Sequence, residues 1–294
     1  MPIHSIKLIV INIMMRLGMK FRKHDVDDIL KFNPQILEYH FSDSDLKTTL
    51  DNNYEQELFV HCYEYFDNKL VDMVNLEPTN QIFSQEKSLE LIQKAIDKTV
   101  SLGEHFKGKP TIIVHPGGMS THELDEEKKQ AMTNKVLDAV NSLEHNKVNL
   151  LLENMPPYAW FYGGRWNFNM FLETQDLVNY CQESGMKVCF DLCHSQLYCN
   201  KNNLSLIDQL EKISPYATHF HLADASGSEG EGMQFGEGDL PFDKVIPILN
   251  TYVGKSFAIE VWRGHELHAK GFHFFLDKLL ENNMLIEQSS NVQV

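Results

Sequence analysis

Residues 149–156 read NLLLENMP, a short apolar run that ends on a carboxylate, Glu153, just before a turn. Short runs of this kind alternate with longer amphipathic segments along the chain, which is typical of a parallel sheet covered by helices. Six consecutive runs end at or beside a histidine or an acidic residue: FVHC at His61, IIVHPGG at His115, NLLLE at Glu153, VCFD at Asp191, HFHLAD at His219 and His221, and FAIE at Glu260. Because the carboxyl ends of barrel strands converge on one mouth, we expect these side chains to lie together.

Working outward from these runs, the alternation predicts eight strands, at Arg16–Phe21, Ile36–Phe41, Leu58–His61, Thr111–His115, Asn149–Glu153, Lys187–Asp191, Thr218–Leu222 and Ser256–Val261. The helices predicted between and after them are Val26–Phe32, Asp45–Asn53, Gln85–His105, Glu123–Glu144, Thr174–Glu183, Leu204–Ile213, Phe242–Tyr252 and Gly271–Asn282. Barrels of alternating strands and helices routinely reach about 250 residues as one domain. We therefore predict a single-domain (β/α)8 TIM barrel over residues 1–294, with residues 1–14 as an N-terminal extension.

The composition limits the class of protein and its partners. Hydrophobic residues make up 43% of the chain and charged residues 23%, as in soluble globular proteins. A formal net charge of -15 disfavours nucleic acid and anionic lipid as partners. No apolar stretch is long enough to cross a membrane. The oligomeric state stays open, with a homo-oligomer as one option.

The five cysteines fit a reduced, cytoplasmic setting, since their number is odd and their spacing shows no disulfide framework. Cys189, Cys193 and Cys199 lie close together in the sequence, which leaves a zinc knuckle as an alternative. Against that alternative, Cys189 falls inside an apolar strand-like run and no second pair of ligands completes the site.

The acidic residues at the strand ends point to a cation. A buried carboxylate is costly unless it is paired or bound to a metal, so several at one mouth imply a divalent ion. Taken singly, the histidines have a plainer interpretation as ordinary residues, and the carboxylates as strand-end caps or ion-pair partners. Their joint occurrence favours the metal. In HFHLAD, alternation sends His219 and His221 to the same face, so periodicity does not tell which one is the ligand.

The joint pattern resembles the xylose-isomerase-like superfamily, which includes sugar epimerases and isomerases and the zinc-dependent apurinic/apyrimidinic endonucleases. The motifs that carry the likeness are FVHC, IIVHPGG, LLEN, VCFDLCHSQLY, HFHLADASG, GEGDLPF and FAIE. The resemblance implies a metal site shared with the epimerases, formed by Glu153, Asp191, His221 and Glu260. It also implies an additional site of the endonuclease type, formed by His61, His115 and the bridging Glu153.

The sequence departs from the endonuclease pattern at one place. Those enzymes carry an Asp-x-His pair shortly before their GEG turn, whereas residues 228–238 here read SEGEGMQFGEG and contain no histidine. We therefore do not expect a trinuclear site. By the same resemblance, His194 matches a position that binds substrate in epimerases and a third zinc in endonucleases. Asp224 and Glu237 are expected to support the turn and not to bind the metal directly.

Two further segments are expected to contact the substrate. Residues 156–169, PPYAWFYGGRWNFN, offer aromatic faces for a sugar and an arginine for an anionic group, although packing against neighbours or a subunit is an equal alternative. The VWRGHE segment after the last strand could hold a phosphate or carboxylate, against the alternative of a solvated turn. The predicted substrate-binding residues are His194, His219, Arg263, His265, Trp160 and Arg165.

Together these features predict a divalent-metal-dependent isomerase or epimerase that acts on a carbohydrate: a sugar, sugar phosphate or polyol. Glu153 and Glu260 would exchange a proton next to a carbonyl, with one or two ions per chain, of Zn, Mn or Co, stabilising the enediolate. The alternative is a zinc-dependent hydrolase of the apurinic/apyrimidinic endonuclease type, acting on phosphodiesters. A noncatalytic sugar-binding protein and a dehydratase are further alternatives.

Overall fold

Eight parallel strands form a closed barrel in a computed structural model that describes residues 14–75 and 79–287. Numbered β1 to β8, they span Arg16–Phe21, Ile36–His40, Glu57–His61, Lys107–Val114, Asn149–Glu153, Val188–Asp191, Ala217–Leu222 and Ser256–Ile259. The pairing of β1 with β8, from Arg16 opposite Ser256 to Met19 opposite Ile259, closes the barrel. The predicted TIM barrel fold is confirmed. The extension predicted at residues 1–14 lies almost wholly outside the described residues, so the single domain over residues 1–294 stays a prediction.

The helices α1 to α8 cover the outside of the barrel and span Val26–Leu30, Gln85–Gly103, Glu126–Asn141, Thr174–Ser184, Leu192–Asn202, Leu206–Ile213, Phe242–Leu249 and Glu266–Glu281. Several of them begin after a side-chain cap; Ser84, Asp125 and Ser205 each accept a hydrogen bond from the backbone N–H three residues later. Within the described ranges, none of the helices has both the length and the apolar character needed to span a bilayer.

The helices differ from the prediction at two places. The segment predicted as a helix over Asp45–Asn53 forms only a 3-10 helix at Asp43–Lys47, because a capping box of Ser42 and Asp45 starts it early and the polar residues after it have low helix propensity. Helix α5 was not predicted at all. Its sequence, LCHSQLYCNKN, has no clear amphipathic period because most of the helix is buried.

The inward-facing side chains change character along the barrel axis. An apolar layer of Ile36, Phe59, Ile113, Leu151 and Cys189 fills the lower part of the barrel. Two residues later in the chain, where alternation returns the side chain to the same face, come Glu38, His61, His115, Glu153 and Asp191. The polar groups therefore form a layer that rests on an apolar floor and opens towards the carboxyl ends of the strands.

The zinc knuckle is not formed. All five cysteines are free and buried. Cys189 lies in the apolar layer inside the barrel, whereas Cys193 and Cys199 belong to the separate core between the barrel and its helices. The strand–helix geometry separates the three thiols, because β6 and α5 present them to different layers.

Candidate metal centre

Three carboxylates surround the Nδ1 nitrogen of His221, which lies at the end of β7. They belong to Glu153 on β5, Asp191 on β6 and Glu260 directly after β8. His221 Nδ1 lies 2.8 Å from Glu153 Oε1, 2.7 Å from Glu260 Oε2 and 3.8 Å from Asp191 Oδ2. Except for Glu260, which is partly exposed, these side chains are almost wholly buried. The four residues predicted as the shared metal site are thus close together at the mouth of the barrel.

This arrangement fits a divalent cation better than an internal hydrogen-bond network. One ring nitrogen carries at most one proton, so it cannot satisfy the three carboxylates around it. Glu260 Oε2 is buried and has no well-aligned hydrogen-bond donor despite its short distance to the ring. Imidazole nitrogen with carboxylate oxygens is the mixed donor set that Zn, Mn and Co accept, and His61, Glu153, His221 and Glu260 each offer one donor within 4.8 Å of the others.

The electrostatics of the carboxylates reflect their crowding. Burial raises the pKa of Asp191 to about 7; His194 counteracts this shift, while Glu153 and Glu260 add to it. Burial also opposes the ionisation of Glu153 and Glu260, but the adjacent His221 and other cationic groups hold the pKa of both carboxyls well below the ordinary value. The site therefore keeps at least two ionised carboxylates side by side, which is the environment that attracts a cation.

A second group of donors shares Glu153 with the first. Glu153 Oε2 lies 3.3 Å from His61 Nε2 and 3.2 Å from His115 Nε2, while its Oε1 contacts His221. Glu64 adds a carboxylate 3.8 Å from His115 Nδ1, which sequence reasoning missed because it lies beyond the end of β3. The two oxygens of Glu153 thus face different histidines, and its role as a bridge between two metal sites stays a prediction from the family resemblance.

His194 is held at the mouth by the first turn of α5. The Asp191 carboxylate accepts a hydrogen bond from the His194 backbone N–H at 2.7 Å, so the residue that caps the helix also belongs to the metal centre. The ring Nδ1 lies 2.9 Å from the carbonyl oxygen of Asn154, and Nε2 lies 3.3 Å from Glu231 Oε1. Glu231 comes from the SEGEGMQFGEG segment, and the sequence does not predict it as a partner of His194 because the loop that carries it has no regular period.

The structure distinguishes the two histidines of HFHLAD. His221 lies opposite Asp191 at the level of the carboxylates, whereas His219 lies opposite Cys189, one layer deeper; both rings are fully buried. His219 Nε2 contacts Glu38 Oε2 at 2.9 Å, and its Nδ1 contacts Ser256 Oγ at 2.8 Å. Both ring nitrogens have partners inside the barrel, so His219 does not lie among the groups that face the mouth.

Lys20 and Glu38 are part of the polar layer but were missed in the sequence. Lys20 interrupts the run RLGMKF on β1, and Glu38 interrupts the run ILEYH on β2. Lys20 contacts Glu260 Oε1 directly and lies 3.5 Å from Glu38 Oε1. A charged residue inside a short apolar strand was the available signal, because such a side chain needs a buried partner.

The aromatic segment after β5 forms a hairpin of Tyr158–Phe161 and Gly164–Phe168. Trp166 and Phe168 pack into a small apolar core beside the barrel mouth, whereas Trp160 is 60% exposed. Arg165 lies opposite Trp160, stacks on the ring of Tyr158 at 4.5 Å and pairs with Glu229 at 3.1 Å. Packing thus accounts for Trp166 and Phe168, while contact of Trp160 and Arg165 with a substrate stays a prediction.

The predicted anion-binding residues after β8, Arg263 and His265, lie apart from the carboxylates of the candidate metal centre. Arg263 is exposed, has a left-handed backbone with φ of 57° and pairs with Glu266 at 2.6 Å. His265 is half-buried, and partial burial lowers its pKa. Neither residue contacts the carboxylates around His221 in any described hydrogen bond or ion pair.

Comparison with known proteins gives one family match. A family model described as a xylose isomerase-like TIM barrel matches residues 26–278. An uncharacterized protein of Methanocaldococcus jannaschii is 25% identical to this chain over 202 residues, which are 68% of each protein.

Solved structures of several proteins resemble the barrel. A D-tagatose 3-epimerase-like protein shares 19% identity with a TM-score of 0.63, over 91% of this chain and 97% of its own. Endonuclease IV from Thermus thermophilus shares 17% identity with a TM-score of 0.58, over 90% and 99%. Another Thermus thermophilus protein, soaked with ZnCl2, shares 17% identity with a TM-score of 0.60, over 92% and 100%. At such identities the likeness concerns the fold.

Proposed function

Because the chain belongs to the xylose isomerase-like TIM barrel family, we propose that it is a divalent-metal-dependent isomerase or epimerase of a carbohydrate. The observation that carries the proposal is the convergence of Glu153 and Glu260 on one point, 2.8 and 2.7 Å from His221 Nδ1. These carboxylates come from β5 and β8, so a substrate carbon between them could lose a proton to one and regain it from the other.

Each residue of the centre has a distinct role in this proposal. Glu153, Asp191, His221 and Glu260 hold the cation, and Glu153 and Glu260 also move the proton. A bound divalent ion supplies Lewis acidity, which stabilises negative charge on the substrate oxygens beside the reacting carbon. Cationic neighbours lower the pKa of Glu153 and of Glu260, so both carboxylates are ionised, the form in which a carboxylate can act as a base. His194, at the rim of the centre, orients a substrate hydroxyl.

The charge pairing around the mouth favours an uncharged polyhydroxy substrate over a phosphorylated one. Arg165 is paired with Glu229 and Arg263 with Glu266, and His194 faces Glu231. An anionic group would have to displace a carboxylate at each of these positions. The net charge of -15 adds a general repulsion of polyanions such as DNA.

A metallohydrolase is the second candidate, and one observation favours it. His61 and His115 approach the same oxygen of Glu153, which would complete a second metal site beside the first. Two adjacent metal ions are a common device for activating water and for stabilising both oxygens in phosphodiester cleavage.

Solvent exchange at carbon separates these two reactions. The enzyme loaded with Mn, Zn or Co in deuterium oxide should place deuterium at the isomerised carbon of a ketose, detected by NMR. Glu260→Gln should reduce this exchange by about 100-fold or more, because the amide cannot act as a base. Glu57→Gln is the matched control, since Glu57 pairs with Arg16 at the opposite end of the barrel.

The same metal-loaded sample should be tested on ketose phosphates and on DNA that contains abasic sites. We expect ketoses to react better than their phosphates and DNA to stay intact. A strong preference for ketose phosphates would contradict the uncharged substrate. Efficient DNA cleavage without deuterium incorporation into any sugar would replace the isomerase with the hydrolase.

A further inference from the structure

Two charged side chains lie beside the candidate metal centre, on strands that supply none of its proposed ligands. Lys20 on β1 is 6% exposed, and Glu38 on β2 is fully buried. A buried ion pair costs desolvation energy that its own attraction often fails to repay. Their partners therefore indicate what these charges do.

Glu38 accepts hydrogen bonds from two histidines of β7. Its Oε2 lies 2.9 Å from His219 Nε2 and 3.2 Å from His221 Nε2. When His221 donates Nε2–H to Glu38, its other nitrogen, Nδ1, keeps a free lone pair. That nitrogen is the one that faces Glu153 and Glu260. A carboxylate that orients a ligating histidine in this way also strengthens it as a donor.

Lys20 restrains Glu260 from the same side. Its ammonium contacts Glu260 Oε1 and also lies 3.5 Å from Glu38 Oε1. The second oxygen of Glu260, Oε2, is left without a well-aligned donor and lies 2.7 Å from His221 Nδ1. His221 thus has its Nε2 bound to Glu38, and Glu260 has its Oε1 bound to Lys20. The remaining atoms, His221 Nδ1 and Glu260 Oε2, lie next to each other.

We infer that Lys20 and Glu38 are positioning residues of the metal centre: Glu38 makes His221 bind through Nδ1, and Lys20 makes Glu260 bind through one oxygen. This inference rests on the metal centre proposed above, but not on the reaction. The pair also links β1 and β2 to the ligands on β7 and β8, so that the closure of the barrel sets the geometry of the site.

Titration of the metal-free protein with Co2+ tests the inference without a substrate. Calorimetry measures the affinity, and the visible absorption of Co2+ reports its coordination. Glu38→Gln should weaken binding by about 10-fold or more, the scale found for partners of ligating histidines. Lys20→Met should lower the intensity of the visible bands, because Glu260 can then bind through both oxygens and raise the coordination number.

Two control variants and a folding check accompany this titration. The double variant Lys20→Met/Glu38→Gln removes one positive and one negative charge, so the net charge of the centre is unchanged, and it should show both effects. Glu57→Gln removes a carboxylate from the far end of the barrel and should leave affinity and spectrum unchanged. Circular dichroism checks that each variant is folded.

Two results would overturn the inference in different ways. If the wild type binds Co2+ and the variants bind it with the same affinity and spectrum, Lys20 and Glu38 do not position the ligands, and the proposed function stands. If the folded wild type binds no divalent ion at all, the metal centre itself fails, and both the proposed function and this inference fall with it.

Discussion

At the scale of single residues, Glu153 is the ligand that the two sites of the proposed centre share. Its Oε1 contacts His221, and its Oε2 lies 3.3 Å from His61 and 3.2 Å from His115. Both oxygens can therefore bind metal at once, each with different histidines. The number of ions per chain depends on whether the two histidines on the Oε2 side act as ligands.

Replacing His61 and His115 together by alanine should remove about one metal equivalent and leave the ion beside His221 in place, because that ion has its own ligands on β6, β7 and β8. Elemental analysis of the purified variant measures the loss. His145→Ala, away from the barrel mouth, is the control and should keep the full metal content. An unchanged metal-to-protein ratio in the double variant would assign the two histidines to the substrate or to structure.

At the scale of elements, one buried carboxylate organises the loop between β7 and α7. Asp224 is 1% exposed and accepts hydrogen bonds from the backbone N–H groups of Ala225, Gly236, Gly238 and Leu240, at 2.8 to 3.0 Å. The close approach requires glycine at 238, where a Cβ would lie 2.5 Å from Asp224 Oδ1. This loop also contains Glu231, which contacts His194. The hydrogen bonds of Asp224 therefore help to hold Glu231 at the mouth of the barrel.

Asp224→Ala should lower the free energy of unfolding by about 3–5 kcal/mol, because it leaves several backbone donors without an acceptor, each worth about 1–3 kcal/mol when buried. Urea denaturation measures the loss, and hydrogen exchange of residues 224–240 should show that the loop opens first. Asp243→Ala, an exposed carboxylate in the first turn of α7, should cost less than about 1 kcal/mol. Equal losses for both variants would contradict a special role of Asp224.

At the scale of the whole molecule, the closed barrel concentrates negative charge at one end. Four inner-wall carboxylates, Glu38, Glu153, Asp191 and Glu260, surround His221, and Lys20 contacts two of them, Glu38 and Glu260. The protein as a whole carries a net charge of -15. Like charges held close together destabilise the folded state unless a cation offsets them.

Removal of divalent metal should therefore lower the melting temperature. A ligand at 100 times its dissociation constant stabilises the folded state by about 2.7 kcal/mol, which corresponds to about 5–10 °C for a domain of this size. Calorimetric scans with EDTA and with added Mn or Zn measure the difference. The variant Glu153→Gln/Asp191→Asn serves as the control and should melt at the same temperature in both conditions. A wild-type protein that is insensitive to both additions would contradict the centre.

The features of the fold and of the candidate site that the sequence predicts are those that depend on residues close together in the chain. Strand order and the positions of Glu153, Asp191, His221 and Glu260 at the strand ends follow from alternation and from the carboxyl-end rule of barrels, which act within a few residues. The layer to which a residue belongs follows the same alternation, so the inward face of each strand was predictable.

The tertiary structure alone decided which polar groups meet. His219 and His221 share a face, and only the stagger of β7 against β2 and β8 puts one beside Glu38 and Ser256 and the other beside Glu260. The partners of Arg165 and Arg263, the contact of Lys20 with Glu260, and the burial of α5 also could not be predicted from the sequence. Each depends on a contact across the closed barrel or between loops, and no local pattern specifies which distant residue will fill such a position.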